Sequence, residues 1–188
     1  LYCANAELAD SQLQSLGRTV YESKPKVDLY TVSCAGGLLG CTMIFNKTLA
    51  EIVQYYDIPE NIIMHDFLLA ELCLAMGGEI RYEAEATMKY RQHGCNTVGV
   101  SYGFIKTIKE RVQDICTPME PGIAEQAKSV LETYGDVLDK KALPWIEKIA
   151  NYKESLMNRI KLAITKKTCY ANWNLSLKVR LAILLGNR

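Results

Sequence analysis

The sequence predicts an α/β fold to about residue 100, followed by a region made only of helices. In the first part, short apolar segments of strand length alternate with helical segments, and glycine and proline separate them. In the second part, apolar residues recur at helical spacing. The first such series is Phe104, Ile105, Ile108, Val112 and Ile115. We therefore expect two structural parts, residues 1–100 and 101–188.

The first part opens with a strand, which we place at residues 1–6. A polar stretch with Gly17 and Pro25 follows and is typical of a loop. Residues 35–40 are rich in glycine and lead into the apolar segment Cys41–Phe45, which predicts a buried strand.

Two helices are expected next. Asn46 is a favourable N-cap, so the first helix should run from Lys47 to about Tyr55. The second should begin near His65. Between Phe67 and Met76 its only charged residue is Glu71, which predicts that protein surrounds this helix on most sides.

Glycine ends the second helix, and strands follow it. Gly77-Gly78 is a common helix terminator. Glu79–Tyr82 and Ala86–Arg91 are predicted as two strands, the second because its polar and apolar residues alternate. Later helices are expected at Gly122–Tyr134, Leu138–Ala150, Tyr152–Thr165 and Leu175–Leu185.

Composition limits the location of the protein. The chain is 49% apolar and 23% charged, as is usual for a globular protein. No uncharged apolar run approaches the roughly 18 residues of a membrane span. Seven cysteines, an odd number without a Cys-x-x-Cys pair, favour free thiols in a reducing cytoplasm, with Cys41 and Cys73 in the core.

The segment 155–188 carries seven basic residues and no acidic ones. Because leucines are interleaved with these charges, the segment is suited to the anionic surface of a membrane. A helix packed on the rest of the chain, with its cations in water, is an equally good interpretation. No nucleic-acid-binding motif accompanies the charge, so nucleic acid is not expected as a partner.

Asp66 is the strongest candidate for a catalytic group. It falls in the first turn of a predicted helix, where the helix dipole and unpaired backbone N–H groups stabilise a carboxylate. From that position it can act on a substrate as a general base. A capping role without catalysis fits the same position and is the commoner one for such a residue.

Candidate binding residues lie beside Asp66 and at the end of the last predicted strand. The chain has two histidines, His65 and His93, and the second follows Arg91 and Gln92. Arg91 suits a bidentate contact with phosphate or carboxylate, and His93 suits a metal ion or a phosphate. A structural role is the commoner one for each residue alone. A helix start and a strand end can nevertheless meet in one pocket, and we predict an active site there.

Three segments carry a family resemblance. They are Gly40–Asn46, the helix start Met64–Ala70, and residues 80–99 with Tyr-Arg-Gln-His-Gly-Cys-Asn at 90–96. Together they resemble the C-terminal half of a bacterial family-2 glycosyltransferase with the GT-A fold, of the rhamnosyltransferase-like kind. The middle segment alone is weakly specific, whereas all three in this order and spacing are fairly specific. The resemblance covers about residues 1–100.

The resemblance implies part of a GT-A sheet, which is a Rossmann-like nucleotide-diphospho-sugar transferase fold. It also implies inverting transfer of a sugar from a nucleotide-sugar donor to a saccharide or lipid-linked acceptor of cell-surface polysaccharide synthesis. Asp66 matches the catalytic base, and His93 matches a position that helps hold the divalent cation (Mg²⁺ or Mn²⁺) or the donor diphosphate. The other matched positions line the substrate pocket: His65, Arg91, Gln92 and Gly40. The enzyme would be cytoplasmic, at the inner face of the membrane.

The chain departs from the family pattern in one respect, since it contains no Asp-x-Asp, the pair that grips the cation. The resemblance therefore predicts that the donor-binding half precedes Leu1 and that this chain alone is inactive. Two other hypotheses stay open. One is a non-catalytic helical interaction module, and the weaker one is a metal-dependent hydrolase that uses His65, Asp66 and His93.

Overall fold

The computed structural model describes residues 1–92, 115–168 and 173–188, and over these ranges the protein has a mixed α/β fold. The described strands form one sheet of three, in the order β2-β1-β3. Their bounds are Tyr2–Ala9 for β1, Ser15–Thr19 for β2 and Arg81–Arg91 for β3. β1 pairs antiparallel with β2 and parallel with β3. The predicted α/β class is confirmed.

The central strand was predicted correctly but too short, and its neighbour β2 was missed. β1 extends to Ala9, three residues beyond the predicted end. β2 occupies part of the polar stretch predicted as a loop, so that prediction is wrong for Ser15–Thr19. The error has a simple cause, because β2 is mostly exposed and lacks the apolar alternation that marks a half-buried strand.

The last two predicted strands are a single strand, which corrects the prediction. β3 runs without a break from Arg81 to Arg91. Its register against β1 shifts in the middle, since Ala4 lies opposite Glu83 whereas the next residue, Asn5, lies opposite Ala86. The two extra residues bulge out of the pairing, and the Asn5 side chain donates to the Ala84 carbonyl oxygen there (3.3 Å). A bulge therefore replaces the predicted break.

Residues Cys41–Phe45 do not form the predicted buried strand. A 3₁₀-helix covers Gly40–Thr42, and the rest of the segment makes only an isolated bridge between Ile44 and Tyr2. Cys41, Ile44 and Phe45 are exposed. The Ala4 amide of β1 donates to the Thr42 hydroxyl oxygen (3.2 Å). In a paired strand, that amide would donate to a backbone carbonyl oxygen instead.

Three helices pack near the sheet in the first part of the chain. α1 (Leu29–Ala35) was not predicted, and the Asp28 carboxylate caps it by accepting the Thr31 amide. α2 (Lys47–Tyr55) has the predicted bounds and the predicted cap, since Asn46 accepts the Leu49 amide. α3 (His65–Ala75) begins where predicted, is buried along most of its length, and is followed by Gly77 with φ 80°.

In the described ranges of the second part, four α-helices follow: α4 (Ile123–Tyr134), α5 (Leu143–Ala150), α6 (Leu156–Ala163) and α7 (Trp173–Leu185). The predicted helix 138–150 starts five residues late, with Pro144 in its first turn. The predicted helix 152–165 is divided into a 3₁₀-helix at Tyr152–Glu154 and α6, which the Ser155 hydroxyl caps. The series Phe104–Val112 lies outside the described residues.

One hydrophobic core joins the two parts of the chain. Buried residues of β1, α1 and α3 belong to the same cluster as those of α4 to α7. Across this core the Trp145 indole N–H of α5 donates to the Ser33 hydroxyl of α1 (2.8 Å). The predicted boundary at residue 100 falls outside the described residues and stays a prediction. Both of its sides nevertheless contribute to a shared core.

Cysteines and helix lengths complete the description. The free cysteines in the described ranges are Cys3, Cys34, Cys41, Cys73 and Cys116. Cys73 is buried, as predicted, but Cys41 is exposed, which corrects its placement in the core. Within the described residues, every helix is too short or too polar to cross a membrane.

Candidate functional site

The candidate site is the N-terminal end of α3. Asp66 lies in the first turn of this helix and is only 7% exposed. One carboxylate oxygen, Oδ2, accepts the Gly40 amide (3.1 Å), and the other, Oδ1, accepts the Phe67 amide (2.8 Å). A carboxylate oxygen has two lone pairs, so beyond these contacts each oxygen keeps capacity for another donor. The carboxylate is thus held in place and keeps capacity for a further hydrogen bond.

Gly40 approaches the start of α3 so closely that a side chain would not fit. A Cβ at residue 40 would lie 2.7 Å from His65 Nε2 and 2.9 Å from Asp66 Cβ. The glycine therefore permits the contact between its own amide and the Asp66 carboxylate. Three residues singled out in the sequence, Gly40, His65 and Asp66, come together here. His65 is exposed, so its ring borders the site from the solvent side.

Hydrogen bonds from β1 and from Tyr21, just after β2, fix the surroundings of Gly40. Thr42 links the 3₁₀-helix to β1 by accepting the Ala4 amide. The buried Asn5 side chain accepts the Tyr21 amide (3.1 Å) and donates to the Tyr21 carbonyl oxygen (2.9 Å). Tyr21 in turn donates its hydroxyl to the Gly37 carbonyl oxygen (2.9 Å). The chain leaving β2 and the glycine-rich turn are therefore held against the same part of the sheet.

Tyr21 is a further group beside the glycine-rich turn. Burial raises the pKa of the Tyr21 hydroxyl above its ordinary value. The hydroxyl therefore stays protonated and remains a donor to Gly37. Sequence reasoning missed Tyr21, since a tyrosine in a polar stretch gives no signal of burial.

A cavity of about 580 Å³ opens beside this turn. Its walls are residues 18–26, Thr31, Ala35–Gly37 and Leu175, and they include three basic side chains and one carboxylate. Behind the wall, Phe67 of α3 packs so closely on Gly36 that a Cβ there would lie 2.9 Å from its ring. Neither His65 nor Asp66 lines this cavity. A larger one, about 640 Å³, lies at the far end of α3 and is lined by Leu1, Cys73 and Gly78, among others.

The predicted strand-end residues lie further along the sheet. Arg91 is opposite Ala9, and the Gln92 amide donates to the Ala9 carbonyl oxygen (2.8 Å). The Thr42 side chain contacts β1 at Ala4, five residues before Ala9. Ala4 and Ala9 are therefore roughly 16 Å apart along the strand. Arg91 is exposed and Gln92 is buried. His93, the predicted metal ligand, lies outside the described residues.

The described residues contain no group of three or more His, Cys, Asp or Glu side chains arranged to hold a metal ion. The assignment of His93 stays a prediction.

The basic segment 155–188 is partly engaged with the rest of the protein. The Lys167 ammonium lies 4.1 Å from the centre of the Tyr30 ring, a cation–π contact. The Arg188 guanidinium donates through Nε to the Cys34 carbonyl oxygen (3.0 Å). Lys161 and Lys166 are exposed. The segment thus combines cations that pack on α1 with cations that face solvent.

Comparisons with known proteins do not identify the chain. No protein-family model matches it, and neither curated proteins nor solved structures give a match.

Proposed function

We propose that this chain is the acceptor-side part of a family-2, GT-A-type glycosyltransferase, with Asp66 as its general base. The observation that carries the proposal is the arrangement of Asp66, with each oxygen anchored by one backbone amide at a helix start. His65 stands exposed next to it. A general base must be held in a fixed position and still reach a substrate proton, and this arrangement meets the first requirement directly.

The proposed reaction is a single displacement. An acceptor hydroxyl gives its proton to an Asp66 oxygen while the hydroxyl oxygen forms a bond to the anomeric carbon of the donor sugar. The bond from that carbon to the diphosphate oxygen breaks, and its electron pair leaves with the nucleoside diphosphate. Attack from the side opposite the leaving group inverts the configuration. His65 would orient the acceptor, and Gly40 would border it.

The remaining parts of the proposal depend on the resemblance. Arg91 and Gln92 would contact the donor or its diphosphate from the end of β3. A divalent cation, when bound, would neutralise the leaving diphosphate. His93 would help hold this cation, as the resemblance implies. The exposed lysines of the basic segment would favour a lipid-linked acceptor at an anionic membrane surface.

A second candidate function is a non-catalytic interaction module. The low exposure of Asp66 favours it, because a carboxylate that joins Gly40 to α3 has a sufficient structural role. Large apolar side chains on the surface also suit a partner, among them Ile44 (67% exposed), Tyr55 (83%) and Ile58 (77%). In this reading the chain binds protein and transfers nothing.

The experiment that separates the two is a donor panel. Full-length gene product is incubated with Mn²⁺, single nucleotide sugars and a mixture of lipid-linked acceptors, and release of nucleoside diphosphate is measured. Release from one donor that depends on acceptor supports the transferase and names its sugar. Silence with every donor, together with capture of a defined protein partner through Ile44 and Ile58, supports the module.

A further inference from the structure

The N-cap position of α3 provides no side-chain cap, and the Asp66 carboxylate satisfies one first-turn amide, that of Phe67. The N-cap residue is Met64, which makes no side-chain hydrogen bond to the helix. A helix without a side-chain cap has less local stabilisation at that end, so its position depends on what holds the preceding residues. Those residues, 61–63, are held by α4, which lies more than 50 positions later in the sequence.

Gln126 of α4 is central to this contact. Its side-chain oxygen accepts the Ile63 amide (2.9 Å), and its side-chain nitrogen donates to the Glu71 carboxyl group of α3 (2.7 Å). Gln126 and Glu71 are each 1% exposed. One buried amide therefore fixes both the chain that enters α3 and the second turn of α3 itself.

Ser129 extends the contact by one turn of α4. Its hydroxyl oxygen lies 3.4 Å from both the Asn61 amide and the Asn61 side-chain nitrogen. Residues 126 and 129 are three apart and so share one face of the helix. Two side chains of this face thus hold two positions of the segment that leads to His65 and Asp66.

We infer that Gln126 is a positioning residue, which sets the start of α3 and with it the Asp66 carboxylate against Gly40. The helical region of the chain would then hold the candidate base in place. Its role as a positioning residue for catalysis depends on the proposed function, whereas its hold on the start of α3 does not.

The first arm of the test needs no enzyme activity. Amide hydrogen exchange of the 188-residue chain is compared for wild type, Gln126→Met and Val130→Ala. Val130 is buried one turn further along α4 and has no polar side-chain atom, so its truncation controls for lost core packing. Gln126→Met should speed exchange at Ile63 and Leu68 by about 10-fold relative to Val130→Ala, the scale of one lost hydrogen bond. Equal exchange in the two variants would overturn the inference.

Two further variants keep the test decisive. Glu71→Gln retains an acceptor for the Gln126 side chain, so Ile63 protection should stay within about 2-fold of wild type. If Gln126→Met fails to fold, Ser129→Ala takes its place and should raise exchange at Asn61 by about 3-fold, a smaller loss because the contact is long. Unchanged exchange at Asn61 would then count against the inference.

The second arm measures transfer by the full-length gene product. Gln126→Met should lower kcat at least about 10-fold with donor KM within about 2-fold, because a displaced base slows the chemical step without weakening donor binding. Val130→Ala should change neither constant. If wild type transfers nothing, the proposed function fails. Hydrogen exchange alone then decides whether Gln126 fixes the start of α3. If wild type transfers and Gln126→Met keeps a normal kcat, positioning of the base is refuted.

Discussion

Two helices, α3 and α7, look alike in sequence and differ in the folded protein. Both are rich in leucine and other apolar residues, although α7 also carries Lys178 and Arg180. In α3, eight of eleven residues are buried, including Asp66 and Glu71. In α7, leucines remain exposed at 177 (41%), 181 (38%) and 185 (51%). An apolar helix is therefore evidence of burial only where other elements surround it, as the Gly40 segment, α1 and α4 surround α3.

The largest expected effect comes from truncating one leucine in each helix. Leu72 of α3 is 0% exposed, and Leu181 of α7 is 38% exposed. Leu72→Ala should lower the free energy of unfolding by about 2–5 kcal/mol, because it removes buried methyl groups and leaves a cavity. Leu181→Ala should change it by less than about 1 kcal/mol. Urea unfolding of both variants measures the two changes in the free energy of unfolding. Equal decreases would mean that the Leu181 side chain is buried in solution.

The next effect is the pH dependence of stability, and it arises in α3. Burial raises the pKa of Glu71 to about 7, which means that the folded protein favours the neutral carboxyl group. The neutral Glu71 carboxyl group therefore stabilises the fold fully at a pH below 4.5, the ordinary pKa of glutamate. This stabilisation is lost as the pH rises through about 7, the pKa in the folded protein. The loss is on the order of 3 kcal/mol.

Unfolding at pH 5 and pH 8 tests this, with Glu71→Gln as the control. The variant cannot ionise, so its stability should change less over that interval, and at pH 8 it should exceed that of wild type. A variant with the same pH dependence as wild type would assign the effect to other groups.

The smallest effect concerns the charges before α7. Lys161 and Lys166 are exposed, and each lysine near an anionic membrane contributes about 1 kcal/mol. The double variant Lys161→Glu, Lys166→Glu should weaken binding to phosphatidylserine-containing vesicles at least about 30-fold. The matched control is Lys140→Glu, Lys141→Glu, which changes the same charge at exposed positions outside the basic segment. Equal binding by the two double variants would remove the membrane as a partner.

The comparison of α3 and α7 also shows what a sequence reveals. The bounds of α2 were predictable because Asn46 caps it, and the start of α3 because its apolar run begins at a distinct boundary. These signals are local. The bulge in β3 was not predictable, because it depends on the Asn5 side chain reaching across from β1.

The same distinction applies to the candidate site. Asp66, His65 and Gly40 were chosen from the sequence, and the structure places them together. Tyr21 and Gln126 gave no signal, because their roles depend on partners 16 and 55 or more residues away in the chain. Glu71 did give a signal, because it is the only charged residue between Phe67 and Met76, and the structure buries it with a hydrogen bond from Gln126.

Transfer by full-length Asp66→Asn tests the central claim most directly. Asparagine keeps one oxygen for a backbone amide but cannot take a proton from the acceptor, so transfer should fall at least about 100-fold. Losing the second acceptor should cost about 1–3 kcal/mol of stability, which leaves the fold measurable by urea unfolding. A drop of that size in nucleoside-diphosphate release from a folded variant is the predicted result. Near-normal release by folded Asp66→Asn would contradict the assignment of Asp66 as the base.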